Sequence, residues 1–424
     1  MSMQIVRNGS SPPLGVLTER LARESPAGTS LIARSRDPRR SAGIATALAM
    51  SLLTQAIAPA FAGPAEQAER IYERIAGVPP SAATLATMIQ EINNQPGQSG
   101  LVAAAAEATK APEFYNVVLK NMVIPWTNRD QTVFAPFNDY AATVIGMVRD
   151  NVPFNTVLSD DILYTVNAPG LPPVSLSDNN HYATAETNGV DLSTALVKTT
   201  QSAAYGLPTA ATAGVITTRG AASAFFIKGT NRAMFRFTMI NHMCHDMETL
   251  MDTSRPSDRI RQDVSRSPGG DSRIFLNNCV GCHSGMDPMA QAFAYYNFDD
   301  TTNQLVYTPG QVQPKYHINS QNFPQGFITP DDSWSNRWRA GPNMVLGWGA
   351  GGGSGNGAKS WGQEIAGSQQ FAACQVQKVF QTVCLRTPSS AADISAAATI
   401  TSSFQSSYNL KSVFQQVAAT CPGT

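Results

Sequence analysis

The chain has 424 residues with 30 basic and 30 acidic side chains, so its formal net charge is zero. This balance excludes the strongly basic field typical of nucleic-acid-binding proteins and the polybasic patches that bind membrane surfaces. Charged residues make up only 14% of the chain, which is typical of exported proteins rather than of highly charged cytosolic ones.

An apolar segment near the N-terminus has the three parts of a secretory signal. Arg39-Arg40 precede an apolar run from Ala42 to about Phe61, which ends in the A-x-A cleavage pattern Ala60-Phe61-Ala62, followed by Gly63. Polar residues interrupt the run and disfavour a permanent membrane span; a buried Ala-rich helix is the alternative. We therefore expect residues 1–62 to form a disordered n-region plus signal peptide. The mature chain, without a transmembrane segment, is then exported to the periplasm or cell envelope.

Helical patterns dominate the about 360 residues that follow, which suffice for one large domain or two modules. The predicted helices are 64–76, 82–92, 101–109, 112–123, 137–148, 230–251, 289–296, 358–385 and 410–419. Residues 153–190 are predicted as mostly loop with short helical pieces, 252–273 as loop, and 300–357 as loop with short strands. We therefore predict a mainly α fold with loop-rich insertions.

The most specific pattern is Cys279-Val280-Gly281-Cys282-His283, which we call the CxxCH motif. Its spacing is that of a c-type haem attachment site, where two thiols bond the porphyrin vinyl groups and the adjacent imidazole becomes the proximal iron ligand. The alternatives are a redox dithiol or half of a zinc site. The expected cofactor is one covalently bound haem c, held by Cys279, Cys282 and His283.

The ligand on the other face of the iron decides the chemistry. Met344 lies about 60 residues downstream, at a spacing that resembles the distal Met of small c-type cytochromes. His242 and His245 lie three residues apart on one helix, and either would give bis-His ligation. His181 and His317 are weaker candidates. A vacant or water-filled position is the remaining alternative.

Four cysteines lie outside the motif: Cys244, Cys374, Cys384 and Cys421. An even number in an oxidising compartment predicts two disulfides, and free buried thiols are the alternative. Cys374 and Cys384 are predicted on one helix, about 15 Å apart, and cannot bond each other. Two pairings remain: 244–374 with 384–421, which we favour, or 244–384 with 374–421.

Several further motifs occur in a recognisable order around the CxxCH motif. They are Ala213–Thr218 (sequence AGVITT), Thr230-Asn231-Arg232, Cys244, Gly285-Met286-Asp287-Pro288 and the aromatic run 293–299. Together they resemble the haem-binding module of the planctomycete-type cytochrome c family, a group of exported modular c-type haem proteins. The resemblance covers about 250 residues and is specific around the haem.

The resemblance implies a modular organisation. It comprises an N-terminal helical module (63–205), a c-type, cytochrome c-like haem-binding module (206–357) and a C-terminal helical module (358–424). His181-Tyr182 resembles an element of the first module, and Gly362-Gln363-Glu364 with Arg386 resembles the last. The stretch Asp252–Pro256 departs from the proline-rich segment of the family, so the resemblance implies fold and haem but no substrate.

These observations predict an exported monohaem c-type cytochrome that passes electrons to a redox partner protein, without nucleic-acid binding. The alternative is a single-haem peroxidase or oxygenase with an open distal site. No distal His-plus-Arg pair and no second CxxCH motif are visible in the sequence.

Overall fold

Helices account for most of the residues that the computed structural model describes, namely 62–227 and 229–421, so the mainly α prediction is confirmed. The predicted signal segment up to residue 61 lies outside these residues. The α-helices are α1 (Pro64–Ala76), α2 (Ala82–Asn94), α3 (Gln98–Ala108), α4 (Lys120–Val123), α5 (Asp139–Arg149), α6 (Asn180–Thr187), α7 (Leu192–Ala195), α8 (Gln201–Tyr205), α9 (Arg219–Phe225), α10 (Arg232–Met243), α11 (Ser272–Ile274), α12 (Val280–Ala290), α13 (Gly357–Ala366), α14 (Gln369–Cys384), α15 (Ala391–Ser407) and α16 (Leu410–Thr420).

Capping residues explain where the first helices begin and end. Gly77 adopts φ 76°, a left-handed conformation that a residue without Cβ takes at little cost, and this ends α1 at the predicted residue. Ser81 precedes α2, and its side chain accepts a hydrogen bond from the Thr84 backbone N–H at 3.1 Å. This N-cap confirms the predicted start of α2.

Three helix predictions are wrong in their extent. The predicted helix 230–251 ends at Met243 because Cys244 takes φ 55° and closes α10 with a left-handed cap. The predicted helix 358–385 is two helices, since Ser368 accepts a hydrogen bond from Phe371 N and starts α14 anew. The predicted helix 289–296 is also wrong: α12 already ends at Ala290, and a β-strand begins at Tyr296.

Short strands form three two-stranded antiparallel sheets in the described part of the chain. The strands are β1 (Leu163–Val166), β2 (Leu196–Thr199), β3 (Tyr296–Asp299), β4 (Gln304–Tyr307), β5 (Ser333–Ser335) and β6 (Ser354–Asn356). The pairs are β1 with β2, β3 with β4 and β5 with β6. Strand β1 lies in the stretch 153–190 that is predicted as loop, whereas β4 to β6 lie in the stretch 300–357 where short strands are predicted.

One hydrophobic cluster runs through the three predicted modules. Helix α3 packs on α16, and α10 packs on α14. The Trp361 ring lies 5.4 Å from Phe235 and 4.9 Å from Phe293, centroid to centroid, so α13 is fixed to the region around the CxxCH motif. Within residues 62–227 and 229–421, no helix has both the length and the apolarity of a membrane span.

Two disulfides join distant parts of this core. Cys244, at the end of α10, bonds Cys374 on α14, and Cys384, the last residue of α14, bonds Cys421. The favoured pairing is therefore confirmed, and Cys374 and Cys384 do lie on one helix. The first bond anchors α14 to the end of α10, and the second joins α14 to the end of α16.

Candidate functional site

The CxxCH motif lies in a continuous helical segment formed by α11, a π-helical turn Phe275–Cys279 and α12. Cys279 ends the π-helical turn, and Cys282 and His283 follow in the first turn of α12. Residues three and four positions apart share a helix face, so both thiols and the imidazole lie on the same side of the segment. Both cysteines are partly exposed and are the free thiols of the described residues.

Contacts from two other segments, the stretch 247–252 and the turn that carries Trp338, fix α12 in place. The Asp252 backbone N–H donates to the Gly281 carbonyl at 3.1 Å, and the Cys282 thiol donates to the Met247 carbonyl at 3.4 Å. Helix α12 also lies against Trp338, which Gly285 approaches so closely that a Cβ there would stand 2.0 Å from the indole nitrogen. The motif is thus presented on a helix whose position is determined by tight packing.

His283 is oriented by a buried carboxylate one turn along the same helix. Its Nδ1 lies 3.1 Å from Asp287 Oδ1. Burial alone would raise the pKa of Asp287, but the charges of Arg232 and Arg261 and the hydrogen bond from His283 outweigh it and hold the pKa well below its ordinary value. An ionised carboxylate only accepts hydrogen bonds, so Nδ1 carries the proton and Nε2 keeps a free lone pair.

Arginines brought from two distant segments compensate the charge of Asp287. Arg232 donates from Nε and Nη2 to the two oxygens of Asp287 at 2.8 and 2.9 Å. The same guanidinium makes a second bidentate pair with Asp263, at 2.6 and 3.0 Å. Arg261 Nη2 lies 3.7 Å from Asp287 Oδ1. Of these residues, the sequence motifs contain Arg232 and Asp287 but assign them no role; the four-residue spacing of His283 and Asp287 on one helix is the signal that identifies the pair.

Beside Cys282 an open cavity of about 590 Å³ lies between α10, α12 and the segment after α10. This Cys282 cavity is lined by Arg129, Arg232, Ala233, Arg236, Phe237, Asp246, Met247, Glu248, Cys282 and Met286. Its volume falls in the range of cofactor and small-molecule sites, about 300–1,000 Å³. Cys279 is not among these residues and packs instead on a small cluster with Ile260, Phe275 and Val280.

The three sixth-ligand candidates lie in different environments. His242 is buried on the other face of α10, where its Nε2 lies 2.7 Å from the Tyr140 hydroxyl and its ring stacks on Phe371. Met344 is 56% exposed on a 3₁₀ turn. His245 follows α10, with Nδ1 3.0 Å from the Thr249 hydroxyl, directly before the cavity residues 246–248. The imidazole and thioether groups of these three residues are not among those that line the Cys282 cavity.

The weaker histidine candidates make ordinary structural contacts. His181 accepts a hydrogen bond from the Val166 backbone N–H at 3.0 Å and lies 2.7 Å from the Pro172 carbonyl. His317 Nε2 lies 3.1 Å from the Thr329 carbonyl. Both imidazoles are therefore engaged by backbone groups in their own neighbourhoods.

Comparison of the chain with protein-family models, curated proteins and solved structures gives no match. Among residues 62–227 and 229–421, no three His, Cys, Asp or Glu side chains converge as a metal-binding group. A haem iron does not require such a group, because the porphyrin supplies four of its ligands and the protein adds one or two. The local arrangement offers two thiols for covalent bonds and one oriented imidazole lone pair.

Proposed function

We propose that this protein is an exported monohaem c-type cytochrome that carries electrons to a redox partner protein in the periplasm or cell envelope. One observation carries the proposal: Cys279 and Cys282 remain thiols beside an oriented His283, whereas the other four cysteines form disulfides. The order of the surrounding motifs, which resembles that of the planctomycete-type cytochrome c family, supports the same assignment.

The residues present fit a covalent haem. Cys279 and Cys282 supply the two thioether bonds, and His283 Nε2 is available as the axial ligand because Nδ1 already binds Asp287. Met286 and Met247 give the Cys282 cavity an apolar wall next to the motif. When bound, the haem supplies one-electron oxidation and reduction, and the polypeptide contributes the position, burial and charge that set its potential.

Charges at the rim of the Cys282 cavity support the same occupant. Arg236 pairs with Asp246 there, and Arg232 pairs with Asp263 and Asp287. Arg129, at the rim, makes no salt bridge within the described part of the chain. A guanidinium in that position suits a propionate of the haem, since Arg binds carboxylates in a bidentate manner.

Two disulfides in one chain favour an oxidising compartment, which is also where c-type haem is attached. The apolar segment before Gly63 with its A-x-A cleavage pattern supports export of the chain. Export, disulfides and haem attachment thus require the same compartment, and this agreement supports the periplasm or cell envelope as the location.

A single-haem peroxidase or oxygenase is the second candidate function. The observation that favours it is that Met344, His242 and His245 all lie outside the lining of the Cys282 cavity. An iron with one protein ligand has an open face that binds peroxide, oxygen or a substrate, whereas an iron with two strong protein ligands mainly transfers electrons.

The test is to express the exported chain in a host with haem-attachment machinery and to record the absorption spectrum, oxidised and reduced, with and without carbon monoxide. Covalent haem that survives denaturing electrophoresis and a spectrum that carbon monoxide does not change support the electron carrier. Covalent haem with a carbon monoxide-sensitive, high-spin spectrum contradicts the carrier and supports the second function. A wild-type chain that folds without haem overturns both.

Paired variants make the result specific to the motif. Cys279→Ser with Cys282→Ser removes both thioethers and is expected to abolish covalent haem. Cys384→Ser with Cys421→Ser removes two other cysteines that do not lie in the motif and is expected to retain haem in the folded fraction. Equal haem loss per folded molecule in both double variants would contradict the assignment of the motif.

A further inference from the structure

The contact between His283 and Asp287 carries an inference beyond haem attachment. We propose that Asp287 is a positioning residue that holds His283 in the Nδ1–H tautomer and increases the electron donation of Nε2 to the haem iron. The proposal deepens the proposed function and rests on it. It identifies a residue that sets the potential of the haem rather than one that binds it.

Geometry and burial support this role. Asp287 is fully buried, and its Oδ1 receives the Nδ1–H of His283 at 3.1 Å. Carboxylates that accept the second N–H of a metal-bound imidazole orient the ring and make it a stronger base. Because a hydrogen bond to a charged group is about twice as strong as one to a neutral group, a carboxylate has a larger effect than a backbone carbonyl.

Hydrogen bonds from the arginines hold the Asp287 carboxylate in place inside the protein. Arg232 contacts both of its oxygens, and the Arg261 backbone N–H lies 3.4 Å from Oδ2. The side chain of Asp263 shares Arg232 but does not contact His283. The network therefore provides one carboxylate that acts on the imidazole and a second that carries the same charge without touching it.

The same contacts predict how an amide behaves at position 287. In Asp287→Asn, an NH₂ group in place of Oδ2 would face two donors, Arg232 Nη2 and the Arg261 backbone N–H. An NH₂ group in place of Oδ1 would face Arg232 Nε as its hydrogen-bonded donor, with Arg261 Nη2 farther away at 3.7 Å, and it would donate to His283 Nδ1. Within hydrogen-bonding distance the second orientation has fewer donor–donor conflicts, so the amide of this variant is expected to impose the opposite tautomer, with the imidazole proton on Nε2.

The first experiment measures the tautomer in the full chain produced without haem, by ¹⁵N–¹H correlation of the imidazole nitrogens. The wild-type His283 is expected in the Nδ1–H form, and the Asp287→Asn variant in the Nε2–H form. Asp263→Asn is the matched control and is expected to retain the wild-type tautomer. A wild-type protein with Nε2–H, which needs no variant to fold, would overturn the proposal.

The second experiment measures the haem potential in the loaded proteins. At a fixed solution potential, Asp287→Asn is expected to raise the ratio of reduced to oxidised haem at least tenfold, which is 59 mV for one electron. Asp263→Asn is expected to shift it much less. Equal shifts in the two variants would mean that the loss of a negative charge, rather than the loss of the hydrogen bond to His283, changes the potential. That result would overturn the proposal.

The two experiments distinguish a failure of the proposed function from a failure of the role proposed for Asp287. If no haem attaches to the wild-type chain, the proposed function fails, while the tautomer measured without haem still decides whether Asp287 orients His283. If haem attaches but Asp287→Asn leaves both the tautomer and the potential unchanged, the proposed function stands and the role of Asp287 is refuted.

Discussion

Gly285 on α12 and Trp338 are in backbone-to-ring contact: a Cβ at position 285 would lie 2.0 Å from the indole Nε1. A real Cβ essentially never comes so close to a non-bonded heavy atom, and Trp338 is fully buried and cannot move aside freely. The absence of a side chain at this position is therefore what lets the helix that carries the CxxCH motif lie against the core.

Gly285→Ala is expected to destabilise the protein by about 1–3 kcal/mol, the usual cost of overpacking a core, and to reduce the yield of covalent haem. Chemical unfolding and haem content per folded molecule measure the two effects. Gly281→Ala on the same helix is the control, because a Cβ there stays 3.3 Å from its nearest neighbour, the Asp252 nitrogen. Equal stability losses in the two variants would contradict the packing argument.

Arg232 neutralises the charge of two carboxylates at once, so its replacement is expected to lower the free energy of unfolding substantially. Arg232→Met leaves the buried Asp287 and the partly buried Asp263 without their shared partner, and breaking a buried ion pair costs about 3–5 kcal/mol. Arg236→Met, four residues along α10, breaks the more exposed pair with Asp246 and is expected to cost about 1 kcal/mol or less. The free energy of unfolding in urea measures both, and similar losses would show that the network is not buried in solution.

The disulfides stabilise the folded protein because they close loops in the unfolded chain and so lower the entropy of the unfolded state. Loop closure predicts about 4 kcal/mol for Cys384–Cys421, with a sequence separation of 37, and about 5 kcal/mol for Cys244–Cys374, with a separation of 130. Replacing both cysteines of either pair by serine is expected to lower the free energy of unfolding by these amounts. A double variant whose midpoint of urea unfolding equals that of the wild-type protein would show that the corresponding disulfide is absent in solution.

His242 is expected to make stability depend on pH. Burial, with a smaller effect from the Lys378 charge, lowers the pKa of His242 from 6.5 to about 3. Since the unfolded chain binds the proton first as pH falls, the contribution of the neutral imidazole is present above pH 6.5. It is lost as pH falls from 6.5 towards 3, by on the order of 5 kcal/mol in total.

His242→Gln removes this proton uptake and is expected to flatten the pH dependence of unfolding between pH 6.5 and 3. Tyr140, whose hydroxyl faces Nε2, and Lys378 remain in place, and the pKa of Lys378 is itself lowered by burial to about 8. His317→Gln, a substitution of an exposed histidine, is the control. Parallel curves for wild-type protein and His242→Gln would contradict burial of a neutral imidazole.

The helices that sequence predicts well are those with clear caps or an apolar stripe. Helix α1 spans its predicted range and ends at a glycine, and Ser81 caps α2 as expected. Helix α15 is not predicted, because its Ala, Ser and Thr residues give no stripe, and in the structure it buries only Ile400 and Phe404. Helix α12 is displaced in the prediction because two glycines and an internal Pro288 lower its apparent helix propensity.

The sequence by itself determines the chemistry that depends on short spacings. Two thiols and an imidazole in CxxCH order are adjacent in any helix, and so are His283 and Asp287, four residues apart. Only the tertiary structure decides the long-range partners: which cysteines pair, that Arg232 lies between Asp263 and Asp287, and that His242 is buried. Local geometry follows from backbone periodicity, whereas contacts between distant segments depend on how the helices pack around the shared core.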